Sequence, residues 1–272
     1  MGRMRRLRSH TIDSMWFFSR SYLGRNNWVA IGLLAFWMLV PHPAFAAIQL
    51  PKNMSVADRE EALRIVGFGT SSKILSDPYP LGGHAGFEAG LSLENVVAED
   101  LSRLGNGVRP PQQEVLLSKL TIGKGVYNDV DLFLQFTPYT KQEELAQYGG
   151  FVRWGFYQAS YLPVGLSLIA HVNSANIGNQ LNARSYGADL IAGVNVDNLA
   201  LYIGGGVIES SGIFLVDEPT PTDPEARAQA KSLVTGSHAL VGANLRFSQF
   251  FLSLQIDRYT LPVFSAKLGV RF

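Results

Sequence analysis

The chain has 272 residues, a formal net charge of +1, 11% aromatic residues and no Cys. The lack of Cys excludes disulfides, thiolate metal sites and a lipoprotein anchor. Charged residues make up only 17% of the chain, below the usual share of about 25%, which indicates that much of the surface does not face water.

Residues 1–46 have the layout of a cleaved secretory signal. Six Arg residues precede an apolar run at 28–40, and Ala44-Phe45-Ala46 supplies the small-residue pattern that signal peptidase reads. The apolar run is too short for a bilayer span, which takes about 20 residues. We therefore predict cleavage after Ala46, with Met1 or Met15 as the start of translation.

Removal of this signal changes the charge of the protein. Six of the 23 basic residues but only one of the 22 acidic residues lie within it, so the mature chain carries 17 basic and 21 acidic residues. A nucleic-acid-binding protein would be expected to carry a basic face. The composition therefore argues against a nucleic-acid partner.

The segment 47–82 is predicted to be a short helix followed by a linker, separate from the rest of the chain. Ser55 can cap a helix over about 56–66, and Asp58 completes the capping box. The glycines that follow would end the helix, and Asp77-Pro78-Tyr79-Pro80 indicates extended chain. The helix could plug a lumen, rest beneath its mouth or bind a partner, and the sequence leaves these alternatives open.

From residue 83 to residue 272, apolar and polar residues alternate with period two, which is typical of strands with two unlike faces. About ten such strands can be counted. Two are less regular, because Lys124 shares a face with apolar residues and Gly204-Gly205-Gly206 indicates a bulge. We predict an all-β fold, an antiparallel up-and-down barrel of about ten strands with a short N-terminal helical segment.

Tight and longer connections alternate along these strands. Four are tight, at 128–129, 161–163, 197–198 and 248–249, whereas those at about 97–114, 141–147, 175–182, 216–232 and 258–262 are longer. Short periplasmic turns and longer external loops are typical of an outer-membrane barrel. Both chain ends would then lie on the periplasmic side, which assigns 47–82 to the periplasm.

The connection at 216–232 is rich in Pro and acidic residues, so we expect it to be external and mobile. It could be a solvated spacer, or it could contact another cell, a phage or the matrix.

Alternation alone does not separate a membrane barrel from a soluble barrel with an apolar interior. The apolar stretches have the 9–11 residues that a tilted spanning strand needs. Aromatic residues near the strand ends predict two interfacial girdles: Tyr127, Tyr161, Phe247, Phe250 and Phe272 at the tight-turn end, and Tyr139, Tyr148, Tyr186, Phe214 and Tyr259 at the other. The polar face is rich in Gly, Ser and Thr, which suits a crowded interior.

The last strand resembles the C-terminal strand that the barrel-assembly machinery recognises in outer-membrane proteins. It ends in Phe272, and apolar residues such as Phe264, Leu268 and Val270 precede it at every second position. The region 83–272 also resembles uncharacterised outer-membrane barrels of predatory Gram-negative bacteria. These resemblances imply an outer-membrane location, with membrane lipid and the assembly machinery as partners, and they imply no activity or oligomeric state.

A barrel of about ten strands has a narrow interior that is filled by side chains. The charged residues on the polar face should point into it and neutralise one another, because an unpaired buried charge is costly. These predicted lumen charges are Glu88, Asp131, Arg153, Asp189, Arg246, Asp257, Lys267 and Arg271.

We expect no cofactor and no metal site. His84, His171 and His238 fall on strands that are not neighbours, so their side chains are not expected to converge on one ion. No G-x-S-x-G motif is present, and the short Gly motifs lack the spacing of phosphate-binding loops.

We also expect no enzymatic activity. Asp217, Glu218 and Asp223 near the outer rim are the best catalytic candidates, but no His accompanies them. The sequence therefore favours a barrel with a structural or narrow-pore role. The alternatives are a surface-interaction protein that acts through its external loops, an outer-membrane enzyme and a soluble periplasmic barrel that binds an apolar ligand.

Overall fold

The computed structural model describes residues 48–107, 114–127, 129–137, 144–159, 161–215 and 231–272. These residues form a closed barrel of ten strands, in which each strand pairs with its neighbours in sequence and β1 pairs with β10. All of these pairs are antiparallel. The predicted up-and-down barrel of ten strands is confirmed.

The strands are β1 (Phe87–Val97), β2 (Glu114–Tyr127), β3 (Val130–Thr137), β4 (Leu145–Gln158), β5 (Val164–Ile177), β6 (Leu181–Val196), β7 (Leu199–Phe214), β8 (Lys231–Phe247), β9 (Phe250–Arg258) and β10 (Pro262–Arg271). In the described part of the chain, one α-helix precedes them, α1 (Val56–Gly69), and short 3-10 helices lie at Gly83–Ala85 and Glu99–Arg103. Within the described ranges, no helix is long and apolar enough to cross a membrane.

The two faces of the barrel wall are unlike, because successive side chains of a strand point to opposite sides of the sheet. On β9, Leu252, Leu254 and Ile256 are exposed on the outside, whereas Ser253 and Gln255 are buried inside. The same alternation holds on the other strands, and most exposed large apolar side chains lie on the outer face. The exterior is therefore apolar, whereas the interior combines polar residues with buried apolar clusters, one of which contains Phe133, Phe151 and Ile169.

The aromatic side chains follow the predicted girdles in part. At the tight-turn end Tyr127, Tyr161, Phe247, Phe250 and Phe272 are exposed, and at the other end Tyr148 and Tyr186 are exposed. The assignment of Phe214 and Tyr259 to the outer girdle was wrong, because both side chains are buried inside the barrel. Tyr139 lies outside the described residues.

The connections depart from strict alternation of short and long. The chain between β5 and β6 spans only 178–180 and the chain between β9 and β10 only 259–261, whereas that between β4 and β5 spans 159–163. The longest connections, 98–113 and 215–230, do lie at one end of the barrel. We call this end the long-loop mouth and the opposite end the tight-turn mouth.

The predicted bulge at Gly204-Gly205-Gly206 is absent from the ladder. These glycines pair in continuous register with β6 and β8. The register instead shifts between Gly125 and Tyr127 and between Trp154 and Tyr157. The run of glycines on β7 therefore has a steric role, because a side chain at Gly204 would collide with Ile191 on β6.

Helix α1 begins as the sequence predicted. The Ser55 N–H donates to the Asp58 carboxylate (3.0 Å), and the Asp58 N–H donates to the Ser55 hydroxyl (3.2 Å), which completes a capping box. The hydrogen bond from the Ser55 N–H holds the pKa of Asp58 below its usual value. The helix ends at Gly69 rather than near Val66, because its last turn is packed inside the barrel.

The segment that follows the capping box runs through the lumen of the barrel. The first helical turn is exposed at the long-loop mouth, where the Asn106 N–H donates to the carbonyl of Lys52. Residues 62–82, which we call the plug segment, are almost all buried and reach the tight-turn mouth, where β1 begins. The helix and linker are therefore not separate from the barrel: the helix plugs the lumen, which is one of the three alternatives that the sequence left open. Residue 48 and Phe272 lie at opposite ends of the barrel.

Glycines on the inner wall make room for the plug segment. A side chain on Gly155, Gly165 or Gly193 would approach Pro80, Tyr79 or Pro78 to between 2.4 and 2.8 Å. On the opposite half of the lumen, Gly212 and Gly236 face Leu63 and Phe68 of α1 in the same way. The Gly-rich inner face is therefore shaped to the segment that fills it.

A disulfide can test this threading, because the natural chain has no Cys. A Cβ at Gly67 of α1 would lie 3.1 Å from the Cβ of Ser210 on β7, close to the separation of about 3.8 Å in a disulfide. We expect Gly67→Cys/Ser210→Cys to oxidise readily, seen as a shift in non-reducing gel migration. Val56→Cys/Ser210→Cys is the control and should stay reduced, and equal oxidation of both pairs would contradict the threading.

Candidate functional site: the filled lumen

The structure places all eight predicted lumen charges on the inner wall. Glu88, Asp131, Arg153, Asp189, Asp257 and Lys267 are buried, whereas Arg246 and Arg271 are partly exposed at the tight-turn mouth. What each of them contacts depends on the plug segment, which contributes an acidic residue, a Lys and a series of backbone groups.

Asp77 of the plug segment pairs with two arginines at the tight-turn mouth. Its Oδ2 lies 3.3 Å from Nη1 of Arg271 and 3.5 Å from Nη1 of Arg246. Arg271 also donates to the carbonyl of Pro80 (2.6 Å). The two arginines therefore hold the extended part of the plug segment at this mouth.

Arg153 on β4 and Asp131 on β3 form a buried pair opposite the same part of the plug. Arg153 Nη2 lies 2.8 Å from Asp131 Oδ2, and the guanidinium also donates to the carbonyl of Asp77. Asp131 in turn accepts from the N–H of Leu81 at 3.1 Å. The ring of Phe133 lies beneath the guanidinium, 5.0 Å from its carbon, in cation–π geometry.

Glu88 on β1 and Lys267 on β10 pair across the junction that closes the barrel. Lys267 Nζ lies 2.7 Å from Glu88 Oε1, and Ser76 of the plug segment donates to Glu88 Oε2 at 2.7 Å. Both charged side chains are buried. Since a buried pair needs further hydrogen bonds to offset its desolvation, the Ser76 hydroxyl stabilises this pair.

Besides Asp77, three further charged residues of the described lumen were not among the predicted lumen charges: Glu94, Lys119 and Lys73. Glu94 on β1 and Lys119 on β2 form a buried pair at 2.8 Å, and Lys119 also donates to the carbonyls of Thr70 and Ser71. The alternation could have revealed this pair, because Glu94 shares the inner face with Glu88.

Lys73 could not have been placed from the pattern of the strands, because it belongs to the plug segment. Its ammonium donates to the carbonyls of Phe68, Gly69 and Ser71 at 3.2–3.3 Å. The last carbonyls of a helix lack intrahelical partners and carry partial negative charge. Lys73 therefore satisfies the C-terminal end of α1 inside the lumen.

The extended part of the plug segment has no neighbouring strand. Side chains of the barrel wall therefore make hydrogen bonds with its backbone groups. Gln135 donates to the carbonyl of Lys73 (2.7 Å), Ser167 donates to that of Pro78 (2.8 Å) and Gln255 accepts from the N–H of Leu75 (3.1 Å). Buried backbone groups need such partners, because leaving them unpaired costs about as much as a lost hydrogen bond. The polar inner face and the plug segment are therefore mutually dependent.

Near the middle of the lumen, two histidines converge on one carboxylate. Nε2 of His238 on β8 lies 2.5 Å from Oδ1 of Asp189 on β6, and Nε2 of His171 on β5 lies 3.4 Å from Oδ2. All three side chains are buried. The expectation that these histidines stay apart was wrong for His171 and His238, because inward side chains meet across a narrow lumen. His84 lies elsewhere and is exposed.

Two glycines allow this convergence. Gly206 on β7 lies in register between Asp189 and His238, and a Cβ there would come within 2.3 Å of the Asp189 carboxylate. A Cβ at Gly187 would come within 2.6 Å of Nε2 of His171. The ring of Tyr259 stacks on His238 with centroids 4.6 Å apart. We call His171, Asp189 and His238 the His–Asp–His cluster. The two glycines and the ring of Tyr259 surround it and fix its geometry.

The residues of the C-terminal strand resemblance face outward. Phe264, Leu268 and Phe272 are exposed, and Val270 is half-buried. The backbones of Phe272 and Phe87 exchange two hydrogen bonds, so the last residue takes part in closure. Recognition of this strand by the assembly machinery stays a prediction. Asp217, Glu218 and Asp223 lie outside the described residues.

Comparison with known proteins finds solved structures of similar fold, but it does not assign the chain to a family. No family model and no curated protein sequence matches the chain. Among solved structures, it is similar to the N-terminal β-barrel domain of Pseudomonas aeruginosa OprF, with 11% identity, 70% of this chain and 99% of that chain covered, and a TM-score of 0.32.

Two further solved structures are Neisserial surface protein A and the attachment invasion locus protein Ail of Yersinia pestis. The first has 10% identity, covers 68% of this chain and 95% of that chain, and gives a TM-score of 0.28. The second has 15% identity, covers 69% of this chain and 97% of that chain, and gives a TM-score of 0.25. At these values the likeness assigns no function to this chain.

Removal of one partner from a buried pair should be far more costly than removal of both. Lys267→Met leaves Glu88 unpaired, so we expect the free energy of unfolding to fall by roughly 3–5 kcal/mol. Glu88→Gln/Lys267→Met should recover most of this loss. Arg103→Ala, which breaks exposed pairs with Glu99 and Asp100, is the control and should cost less than about 1 kcal/mol.

These free energies can be measured by urea unfolding of the folded protein in detergent micelles. If Lys267→Met and Arg103→Ala had the same small effect, the Glu88–Lys267 pair would not be buried as described.

Proposed function

We propose that the chain is an integral barrel of the bacterial outer membrane with a structural role, and that its own N-terminal segment closes its lumen. The observation that carries the proposal is the pair of unlike faces: an apolar exterior around an interior filled by charges and by the plug segment. Lipid offers backbone groups no partner, so a spanning sheet must be closed. The pairing of β1 with β10 meets this requirement.

The distribution of exposed apolar side chains favours an outer face that contacts lipid rather than water. Leu254, Leu134 and Ile203 each expose half or more of their surface near the middle of the wall. A monomeric soluble protein rarely exposes a contiguous apolar surface of this extent. The exposed tyrosines and phenylalanines near both mouths fit the aromatic girdles of such barrels.

The alternative of a soluble barrel that binds an apolar ligand needs an apolar, open interior. Here the inner wall carries buried ion pairs, and the plug segment makes hydrogen bonds along its length. These contacts, together with the packing of Ile74 and Leu81 of the plug segment among inward apolar side chains such as Phe133, fill the space that a ligand would need in the described chain. They also oppose the narrow-pore alternative, because solute would have to displace the plug.

Conductance across a planar bilayer tests the closed lumen. We expect the purified protein to give no steady current, because the plug occupies the lumen. Asp77→Ala removes the carboxylate that faces Arg246 and Arg271, so brief openings are expected. Asp58→Ala, on the exposed end of α1, is the matched control and should stay silent. A steady current through the unaltered protein would contradict the proposal and favour a pore.

We further propose that the long-loop mouth faces the cell exterior, as longer loops do in outer-membrane barrels. The exposed start of α1 lies at that mouth, so it would be external rather than periplasmic. In intact cells, a membrane-impermeant maleimide should label Val56→Cys, which is 62% exposed.

The control for this orientation is Tyr161→Cys, at the tight-turn mouth and 99% exposed. It should be labelled only after the outer membrane is opened. Labelling of Tyr161→Cys but not of Val56→Cys in intact cells would show the reverse orientation. The other alternative, contact with another cell or surface through the loop at 216–232, concerns residues that lie largely outside the described chain.

A further inference from the structure

We propose that the His–Asp–His cluster binds one divalent transition-metal ion of the Zn²⁺ type inside the barrel. Imidazole nitrogen and carboxylate oxygen are the donors that such ions take together. The donor atoms of His171, Asp189 and His238 all lie within 4.8 Å of one another. Donors held at about 2.0–2.2 Å from one ion lie less than about 4.4 Å apart, so small side-chain rotations suffice.

Charge distinguishes this cluster from the rest of the lumen. In the described chain, the buried carboxylates Asp77, Glu88, Glu94 and Asp131 each have a Lys or Arg nitrogen within 4.0 Å. The ion pairs of the other two, Asp189 and Asp257, are with histidine alone. Buried charges need a partner of opposite sign, and a divalent cation would supply it directly for Asp189, whereas Asp257 accepts hydrogen bonds from Gln255.

The imidazoles also have free bonding capacity. Among the described residues, Nδ1 and Nε2 of His171 and Nδ1 of His238 are buried and make no hydrogen bond. The contact of 3.4 Å between His171 and Asp189 does not have hydrogen-bond geometry. Because a buried polar atom without a partner costs about 1–3 kcal/mol, such atoms call for an explanation. Coordination of an ion by Nε2 of His171 gives one for that atom.

Asp257 lies where one would expect a second carboxylate that contacts a ligating His rather than the metal ion itself. Its Oδ1 lies 4.0 Å from Nδ1 of His238, on the side of the ring away from Asp189. In metal sites the second nitrogen of a ligating His commonly donates to a carboxylate, which fixes the tautomer with a free lone pair on the ligating nitrogen. Ligation through Nε2 would therefore place the single proton of a neutral His238 on Nδ1, where it faces Asp257.

The surroundings of the cluster let the three donor side chains approach one another closely. Gly187 and Gly206 leave the space at the cluster without side chains, as described above. Tyr259 covers one face of His238, and the ammonium of Lys73 lies on the ring of Tyr259, 4.7 Å from its centroid. The ammonium of Lys73 donates to carbonyls at the end of α1, and no ion pair within 4.0 Å joins it to Asp189 or Asp257 in the described chain.

The test uses the untagged full mature chain, unfolded in urea with chelator and refolded into detergent with CoCl₂ or ZnCl₂. Refolding is used because the ligands are buried, so an ion would enter most easily before the barrel closes. Folding is checked by heat-modifiable gel migration. We expect one tightly held Co²⁺ per chain, with the visible absorption bands of a tetrahedral ion, and displacement of these bands when Zn²⁺ competes.

Variants assign the ion to these residues. His171→Gln and His238→Gln should weaken binding at least tenfold and abolish the bands, and Asp257→Asn should weaken binding by about tenfold. His84→Gln, which changes an exposed His outside the cluster, should bind as the unaltered chain does.

Two results would overturn the proposal. The first is a folded, unaltered chain that shows no tetrahedral Co²⁺ bands, which would leave the cluster as a hydrogen-bonded ion pair. The second is binding that is lost equally in His84→Gln. If a Gln variant fails to fold, the bands of the unaltered chain alone decide the first point, and Asp257→Asn with His84→Gln decides the second.

Discussion

Closure of the sheet is the constraint on which the rest of this structure depends. The pairing of β1 with β10 leaves the barrel without a free edge, so the backbone groups of the wall find partners within the wall. Only then can the outer face be apolar and meet hydrocarbon, where an unpaired N–H or C=O would cost several kcal/mol. Closure also creates a narrow interior that has to be filled.

The chain fills that interior with its own N-terminal segment. Extended residues such as Ser76 and Pro78 have no strand beside them, so polar side chains of the wall take the place of a ladder. Buried carboxylates on the wall would be costly alone, and most of them pair with Lys or Arg. The Glu88–Lys267 pair shows the coupling, because it joins the first and last strands and contacts the plug through Ser76.

The sequence predicts the wall well because a period of two depends only on backbone geometry. It predicts ten strands, the outward apolar face and the direction of residues such as Asp131 and Arg153. The capping box of Ser55 and Asp58 is also local, and it is confirmed.

The inward direction of the eight wall charges was predicted, but their partners in the lumen were not, because these depend on contacts between distant parts of the chain. The inward direction of Tyr259 follows from its packing on Phe68 and His238, and nothing in its neighbourhood of the sequence indicates this. His171 and His238 can approach each other because Gly206 has no side chain. In the sequence, the run of glycines that contains Gly206 had predicted a bulge. A run of glycines can indicate close approach by another element as well as an irregular strand.

Spin labels on single cysteines along β9 (Phe250–Arg258) test the central claim most directly, because the chain has no Cys to remove. Collision with lipid-soluble oxygen and with a water-soluble nickel chelate would be compared in vesicles. We expect labels at Leu252, Leu254 and Ile256 to collide with oxygen but not with the nickel chelate. Labels at Phe251, Ser253 and Gln255 should collide with neither, since these positions are buried in the filled interior. Free access of the nickel chelate to Leu254 would contradict the account.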